Sequence, residues 1–407
     1  MNTESITQKV FNKVPEVTIY FWVIKILCTT VGETFADFLN VNLNFGLTVT
    51  SIVMGVLLVI ALLFQFKTKK YTPAVYWITV AFVSVFGTLV TDNLTDKLGI
   101  HLELSTIIFS IILAFVFGAW YYSEKTLSIH SIFTRRREAF YWLTILFTFA
   151  LGTAAGDLMA ESLSLGYLVT GIIVAGVIAA AVIAKRLGLN AVLAFWIVYI
   201  MTRPLGASIG DYLSQPHKYG GLGLGATGTS VIFIAGIIIT VTYLSFTRRD
   251  VIKDDSIKEE ADQKGIIPQT IITIIVLVGI ALLGYFWRHN KLQQENNLVD
   301  STTNSTQTNA SGQKVATGPL GDLSNFKTIT QDTLDLVNAN NPSGAVTRVA
   351  DLEHDWDVAQ PRLKAMNQAK WTEVDNAIDK VLRAIRAVNP NAQESKTALE
   401  DLLKVLN

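Results

Sequence analysis

WVIKILCTTVGETFAD, residues 22–37, returns three times along the chain. WITVAFVSVFGTLVTD fills 77–92, WLTILFTFALGTAAGD fills 142–157 and WIVYIMTRPLGASIGD fills 196–211. All four obey W-x9-G-x4-D without a gap: Trp22, Trp77, Trp142 and Trp196, then Gly32, Gly87, Gly152 and Gly206, then Asp37, Asp92, Asp157 and Asp211. Four chance matches to three fixed residues are very improbable, so the chain carries a fourfold internal repeat.

Each copy begins a long apolar run, and each is followed by a second one. The runs cover approximately 20–39, 46–66, 73–95, 103–122, 140–160, 167–184, 190–210 and 227–246, with a ninth at 266–287. Crossing the hydrocarbon core takes roughly 20 apolar residues in a helix, and most of these runs are that long. Composition agrees. Half of the 407 residues are hydrophobic, 16% are charged and the mean hydropathy is +0.40, against about 25% charged in an ordinary soluble chain. The expected fold is an all-α polytopic membrane protein of about nine transmembrane helices: four parallel two-helix repeats plus one anchor helix. The repeat region is 20–246, divided as 20–66, 73–122, 140–184 and 190–246.

The 33 basic and 33 acidic residues cancel, which gives no support to a nucleic-acid binder; their placement is what informs. Loops after the second, fourth, sixth and eighth runs hold Lys67, Lys69, Lys70, Lys125, Arg135, Arg136, Arg137, Lys185, Arg186, Arg248, Arg249, Lys253, Lys258 and Lys264. The other four loops hold only Lys97 and Lys218. The positive-inside bias then makes the first set cytoplasmic, together with residues 1–19 and the loop 247–265. No cleaved signal peptide is visible in those first residues. Two spans per copy give every copy the same orientation, unlike inverted repeats. All four aspartates therefore share one depth, about 22 Å along the helix from the tryptophans and toward the outer side.

After the ninth run the character changes. Residues 288–325 read as a flexible linker, rich in Ser, Thr, Asn, Gln and Gly from 293 onward. Residues 326–407 show helical spacing, as in Val374, Ile378, Val381, Leu382 and Ile385. Pro342, Pro361 and Pro390 each mark a place for a helix to begin. A small extracytoplasmic three- or four-helix domain is expected. Cys28 is the one cysteine, which excludes an intrachain disulfide, a zinc knuckle and a CxxC redox site.

The copies resemble the repeat of unknown function that defines a family of bacterial membrane-anchored proteins, usually found four to a chain. The resemblance covers residues 20–246 and implies a multi-pass protein of the bacterial cell membrane. It implies no chemistry, so function rests on the residues.

A carboxylate within the bilayer costs ~2.5–3.5 kcal/mol on insertion scales and usually faces a cavity or a partner. Further acids stand one helical turn from the repeated ones: Glu33 before Asp37, Asp96 after Asp92 and Glu161 after Asp157, while copy four has Ala207 and Gln215 there. Seven acids near one level repel one another unless protonated or neutralised by cations. A structural reading, with glycines packing helices, aspartates capping turns and tryptophans anchored at the interface, accounts for one aspartate per copy. It accounts poorly for Glu33, Asp96 and Glu161. A cation site accounts for all seven. Carboxylate, carbonyl and water oxygens suit Mg or Mn better than Zn or Cu. Gly32, Gly87, Gly152 and Gly206 would pack or loosen the helices, and Thr34, Thr88, Thr153 and Ser208 would add hydroxyls.

Arg203, deep in the seventh run, needs a carboxylate partner, with Asp211 or Glu33 the candidates, and is expected to be a buried ion pair, a gate or part of an anion site. Pro204 beside it is expected to bend or break that helix. Lys25 is expected to snorkel to the inner interface. The Gly-rich GGLGLGATGTS, residues 220–230, lacks the GK[ST] ending of a phosphate loop, and DLEHDWD, residues 351–357, reads as a solvated face. Nothing resembles a serine triad, a zinc-protease helix or a dinucleotide fingerprint, so no enzyme and no cofactor are expected. The leading expectation is a transporter of a divalent metal cation. Its partners would be the lipid bilayer and a small cation, with no nucleic acid; homo-oligomerisation and the partner of the outer domain stay open. The alternative is a non-transporting membrane-anchored sensor or binding protein whose outer C-terminal domain does the work.

Overall fold

The computed structural model describes residues 12–43, 45–219, 221–251, 266–306, 318–387 and 389–407. Lys253, Lys258, Lys264 and Gly220 lie outside the described residues. Among those described, nine helices are long and apolar enough to cross a membrane. The repeats supply eight: α1 (Ile19–Asp37) and α2 (Gly46–Lys67), α3 (Pro73–Asp92) and α4 (Leu102–Glu124), α5 (Arg135–Asp157) and α6 (Gly166–Arg186), α7 (Ala191–Ser214) and α8 (Gly225–Thr247). The ninth is α9 (Ile266–Thr306). Arg135, Arg136 and Arg137, expected in a loop, form the first turn of α5, because the Thr134 hydroxyl caps that helix by accepting from the Arg137 N–H at 3.2 Å.

The odd-numbered helices of the repeats form a closed ring. α1 packs on α3, α3 on α5, α5 on α7 and α7 back on α1. Glycine makes each of these approaches possible, and it does so at one register. A Cβ on Gly32 would fall 2.0 Å from Ser84 Oγ, on Gly87 2.7 Å from Phe149 Cβ, on Gly152 2.6 Å from Arg203 Cβ, and on Gly206 1.9 Å from Thr29 Oγ1. Each partner stands three residues before the glycine of the next copy. Copy four thereby closes on copy one.

The even helices follow the same rotation. α2 packs on α3, α4 on α5, α6 on α7 and α8 on α1, so each copy lays its second helix on the first helix of its neighbour. The odd spans are 56–72% buried and the even ones 17–28%, which makes the odd helices the centre and leaves the even ones as a rim facing lipid.

A second closed ring lies at the tryptophan end. An aromatic residue precedes each repeated tryptophan: Phe21, Tyr76, Tyr141 and Phe195. Each meets the tryptophan of the next copy. Centroids are 5.6 Å apart for Phe21–Trp77, 5.5 Å for Tyr76–Trp142, 6.4 Å for Tyr141–Trp196 and 5.6 Å for Phe195–Trp22. All four pairs are tilted, and aromatic pairs of this kind are favourable beyond the area they bury. Trp77, Trp142 and Trp196 are buried, so their main role is this aromatic gasket and not the lipid-facing anchorage expected of them.

Contacts divide the chain into two compact units, Met1–Asn40, Phe45–Leu158 and Gly166–Gln269 in one, Val41–Asn44, Met159–Leu165 and Thr270–Asn407 in the other. The second unit contains α10 (Ser324–Asn338), α11 (Pro342–Met366), α12 (Gln368–Arg386) and α13 (Ala392–Leu406). Asn341, Asn367 and Asn391 cap the last three by accepting backbone N–H bonds. Its core includes Phe326, Val349, Trp356, Trp371, Ile378 and Leu399. Two expectations are corrected here. Helix α9 runs on to Thr306, so the linker expected from 288 is helical at least that far, because nothing before that point breaks the helix. α11 runs through position 361, so no helix begins there; Asn367 makes the cap instead.

Candidate functional site

The four repeated aspartates lie at the other end of the ring, and three of them occupy one special backbone position. Asp37, Asp92 and Asp157 are each the last residue of a regular α-helix that continues as a five-residue π turn: Phe38–Asn42, Asn93–Lys97 and Leu158–Ser162. A π turn widens the helix and shifts its backbone bonds to i→i+5, and such turns are frequent at functional sites. Asp211 is the exception. α7 continues three residues past it and stops before Pro216, with the Asp211 carbonyl accepting from the Gln215 N–H at 2.8 Å. The widening thus occurs at the aspartates, whereas the four glycines sit in regular helix and serve close packing.

Asp37, Asp92, Asp157, Asp211, Glu33 and Glu161 are half-buried and Asp96 is exposed. Asp92 lies within electrostatic reach of Asp96, Glu33, Asp37 and Arg203. Asp157 and Asp211 hold the equivalent positions on α5 and α7. Asp96 and Glu161 fall within π turns, where α-helical spacing no longer applies; Thr95 Oγ1 donates to Asp96 Oδ1 at 2.8 Å. Among the described residues, no group of three His, Cys, Asp or Glu side chains converges as a ready-made metal centre.

Arg203 is the central group. It is fully buried, its stem lies in the space that Gly152 leaves, and its guanidinium reaches across the ring. Nη2 donates to Glu33 Oε2 and to Thr88 Oγ1, both at 2.5 Å, and Nη1 to the Thr29 carbonyl at 3.5 Å. One side chain from copy four therefore ties copies one and two. Glu33 is the carboxylate partner, and Asp211 is not the one it bonds. The corresponding residues of the other copies are Thr29, Ser84 and Phe149, so this register is symmetric in packing and asymmetric in charge. α7 runs unbroken through Pro204, whose ring packs against the Gly152 and Gly156 positions; the expected break is absent because the neighbouring helix supports that turn.

The three threonine hydroxyls make the same bond: Thr34, Thr88 and Thr153 donate to the carbonyls one turn back, Thr30 at 3.2 Å, Ser84 at 3.2 Å and Phe149 at 3.1 Å. Thr88 also accepts from Arg203 and Thr34 from Ser230, while Ser208 packs against Gly171. Lys25 corrects a second expectation. It is 1% exposed, and its ammonium stands 3.7 Å from the Phe149 ring centroid and 4.2 Å from that of Tyr199. Among the described residues Nζ has no hydrogen-bond partner. Rings from α5 and α7 hold it inside through cation–π attraction, which removes the reason to snorkel. Lys25 thus lies between the aromatic gasket and Arg203. Three features escaped the sequence reading: the gasket partners, the π turns and the residues before α1. The repeated aromatic before each tryptophan was a legible signal for the first.

The acidic DLEHDWD stretch is structural in the tail unit. Asp351 accepts from Arg348 at 2.7 Å, Glu353 from Arg386 at 3.0 Å, and Asp355 from Asn325 at 2.9 Å. Burial pushes the Asp357 carboxyl well above the usual carboxylate range, and the nearby carboxylate of Glu353 adds to it.

Fold and site define a class: a multi-pass helical membrane protein whose centre is a ring of four like copies. The chain belongs to the family described as Repeat of Unknown Function (DUF347), which it matches over residues 20–71, 75–126, 140–187 and 194–250, one segment per copy. No curated protein and no solved structure matches it.

Proposed function

We propose that the ring is a transporter for a divalent cation of the Mg or Mn class, seen with its inner end shut. The observation that carries this reading is Arg203, a cation of the protein itself, bonded to Glu33 beside Asp37, Asp92 and Asp96. A carboxylate that holds a guanidinium is suited to hold a competing hydrated cation. Mg keeps several of its waters when bound by few carboxylates, which agrees with acids that are grouped but form no closed cage. In this reading the aspartate end faces outward, as the basic loops imply. Lys25, Arg203 and the gasket block the axis, and release of Arg203 from Glu33 is the gating step.

Tracer flux in proteoliposomes tests the assignment. Mg or Mn uptake is expected to saturate and to exceed Ca uptake. Replacing Asp37, Asp92, Asp157 and Asp211 together by Asn is expected to abolish it, and unchanged flux and binding would overturn the site. A second reading draws on the separate core of the tail, with Trp356 stacked on Trp371 at 6.0 Å: a membrane-anchored binding protein that works through this unit. Deleting residues 293–407 leaves flux largely intact in the first reading and removes function in the second.

A further inference from the structure

Residues 12–16 precede the first helix and belong to no repeat, yet they are bonded to three loops at the tryptophan end. Asn12 Nδ2 donates to the Ile129 carbonyl at 3.4 Å, and the Tyr71 N–H donates to the Asn12 carbonyl at 2.9 Å. The Lys13 N–H donates to the Ile132 carbonyl at 3.0 Å, and the Glu16 N–H to the Asp250 carbonyl at 2.8 Å. The segment therefore joins the connections after α2, α4 and α8. Its side chains go further in. Val14 is 2% exposed and belongs to the same core as Phe21, Trp77, Tyr141 and Trp196 of the gasket. Lys13 Nζ pairs with Glu138 Oε2 at 2.6 Å and also reaches the Phe66 carbonyl at 3.3 Å. Gln65 Nε2 donates to the other Glu138 oxygen at 3.1 Å. Lys13 and Glu138 are both buried, so breaking the pair exposes two charges that only each other and a few dipoles satisfy.

A buried ion pair is weak evidence for stability but strong evidence for a defined register, since a displaced partner strands a charge. Here it fixes a strap that touches the last turn of α2 and the start of α5 and ends beside the connection after α8. The gasket joins aromatic residues of neighbouring copies, and its rings cannot separate while one strand of chain is bonded to the connections that follow three of those copies. The strap is thus placed to hold the tryptophan end shut independently of anything bound at the aspartate end.

We infer that residues 12–16 are the latch of the inner gate, locked by the Lys13–Glu138 pair, and that the tryptophan end opens only when the strap lifts. This rests on the transport reading for its purpose, but its geometry does not depend on which cation is carried. Cys28, one turn beyond Ile24 on α1 and fully buried within the same core as Val14, is a native reporter of that opening.

The experiment uses the full chain in proteoliposomes and follows modification of Cys28 by N-ethylmaleimide, read on the Cys28 peptide by mass spectrometry. The double variant Lys13→Met/Glu138→Gln removes the lock without stranding a charge and is expected to react at least about tenfold faster than the parent. Asn12→Cys/Ile129→Cys, oxidised to tether the strap, is expected to react more slowly than the parent and to return to its rate on reduction. A tethered protein whose Cys28 reacts at the parent rate overturns the latch, even if the double variant is merely loosened. A double variant that reacts at the parent rate overturns it too. Mn uptake measured on the same vesicles separates the two readings. Cys28 exposure that follows the strap while Mn flux is absent supports the latch and removes only the transport assignment.

Discussion

The tryptophan half and the aspartate half of the ring are built on the same four helices, yet they use their symmetry differently. At the tryptophan end every copy contributes a tryptophan and an aromatic residue before it, Phe in copies one and four and Tyr in copies two and three, and that residue meets the tryptophan of the next copy. At the aspartate end three copies share the α-to-π transition and the fourth lacks it. The glycine register between them shows where the divergence starts: its four partners are Thr29, Ser84, Phe149 and Arg203. Packing needs only that a glycine lie opposite, so that end could stay fourfold. Around that glycine the charges are single: three residues before it only copy four has Arg203, and one residue after it only copy one has Glu33. The ring is thus symmetric in its packing contacts and asymmetric in charge around Arg203.

The largest expected effect breaks that asymmetry. Arg203→Met leaves Glu33, whose side chain is 13% exposed, without its main partner and within reach of another carboxylate, Asp92. Removing one member of a buried pair typically costs about 3–5 kcal/mol. Thermal unfolding in detergent is expected to drop accordingly, and Arg203→Met/Glu33→Gln to recover most of the loss. Failure of the double variant to recover would show that the guanidinium matters through Thr88 and the Thr29 carbonyl instead.

The next contrast sets the ring against its rim. Gly87→Ala puts a methyl 2.7 Å from Phe149 Cβ and 3.4 Å from the Ala150 backbone nitrogen, so a helix must move. Overpacking of this kind costs typically 1–3 kcal/mol. Gly118 and Gly176, on the outer helices α4 and α6, have nothing within 4 Å of a Cβ. Alanine there is expected to be neutral or stabilising by up to about 1 kcal/mol. Equal effects at the three positions would mean that the glycine register is not what closes the ring.

These two contrasts also show what could be read from the residues. W-x9-G-x4-D located the copies and their spans, because hydrophobic length and an exact repeat leave a mark in one dimension. Glu33 was a correct candidate for Arg203 since few acids lie at its level. The direction of packing was not legible, because a glycine records that something comes close and not which copy it is. The π turns were hidden for a related reason: a shift from i→i+4 to i→i+5 bonding changes no residue type. Lys25 was misread because a lysine near the end of an apolar run looks the same whether it points out to water or in toward Phe149 and Tyr199. The strap has no periodicity at all, and its contacts reach residues from 53 to more than a hundred positions away in sequence.

Within the gasket, Tyr76 and Tyr141 share a hydroxyl contact of 2.5 Å that copies one and four, with phenylalanine in place of tyrosine, cannot make. Tyr141→Phe keeps the ring contacts and removes one buried hydrogen bond, for an expected loss of about 1 kcal/mol. A loss comparable with that of Arg203→Met would mean that the aromatic end is as specialised as the charged one, and the contrast between the halves would fail.

The smallest effect concerns Asp250, beyond the end of α8, and it has a sign that can be fixed in advance. Its side chain is 1% exposed and accepts from the Tyr71 hydroxyl at 2.5 Å. Burial outweighs that bond and holds the carboxyl above its ordinary value. In the unfolded chain the group ionises at the usual carboxylate pKa of about 3.9, so the folded state binds the proton more tightly. Its contribution to stability is present below that pH and is lost as pH rises through the folded value. Asparagine cannot ionise and can still accept the Tyr71 hydroxyl. The melting temperature of Asp250→Asn relative to the parent is therefore expected to rise between acid and neutral pH, with the smallest difference at the acid end. A difference that stays flat across that range would mean that water reaches the carboxylate, and that the strap and its neighbouring loops close the tryptophan end less tightly than the gasket does.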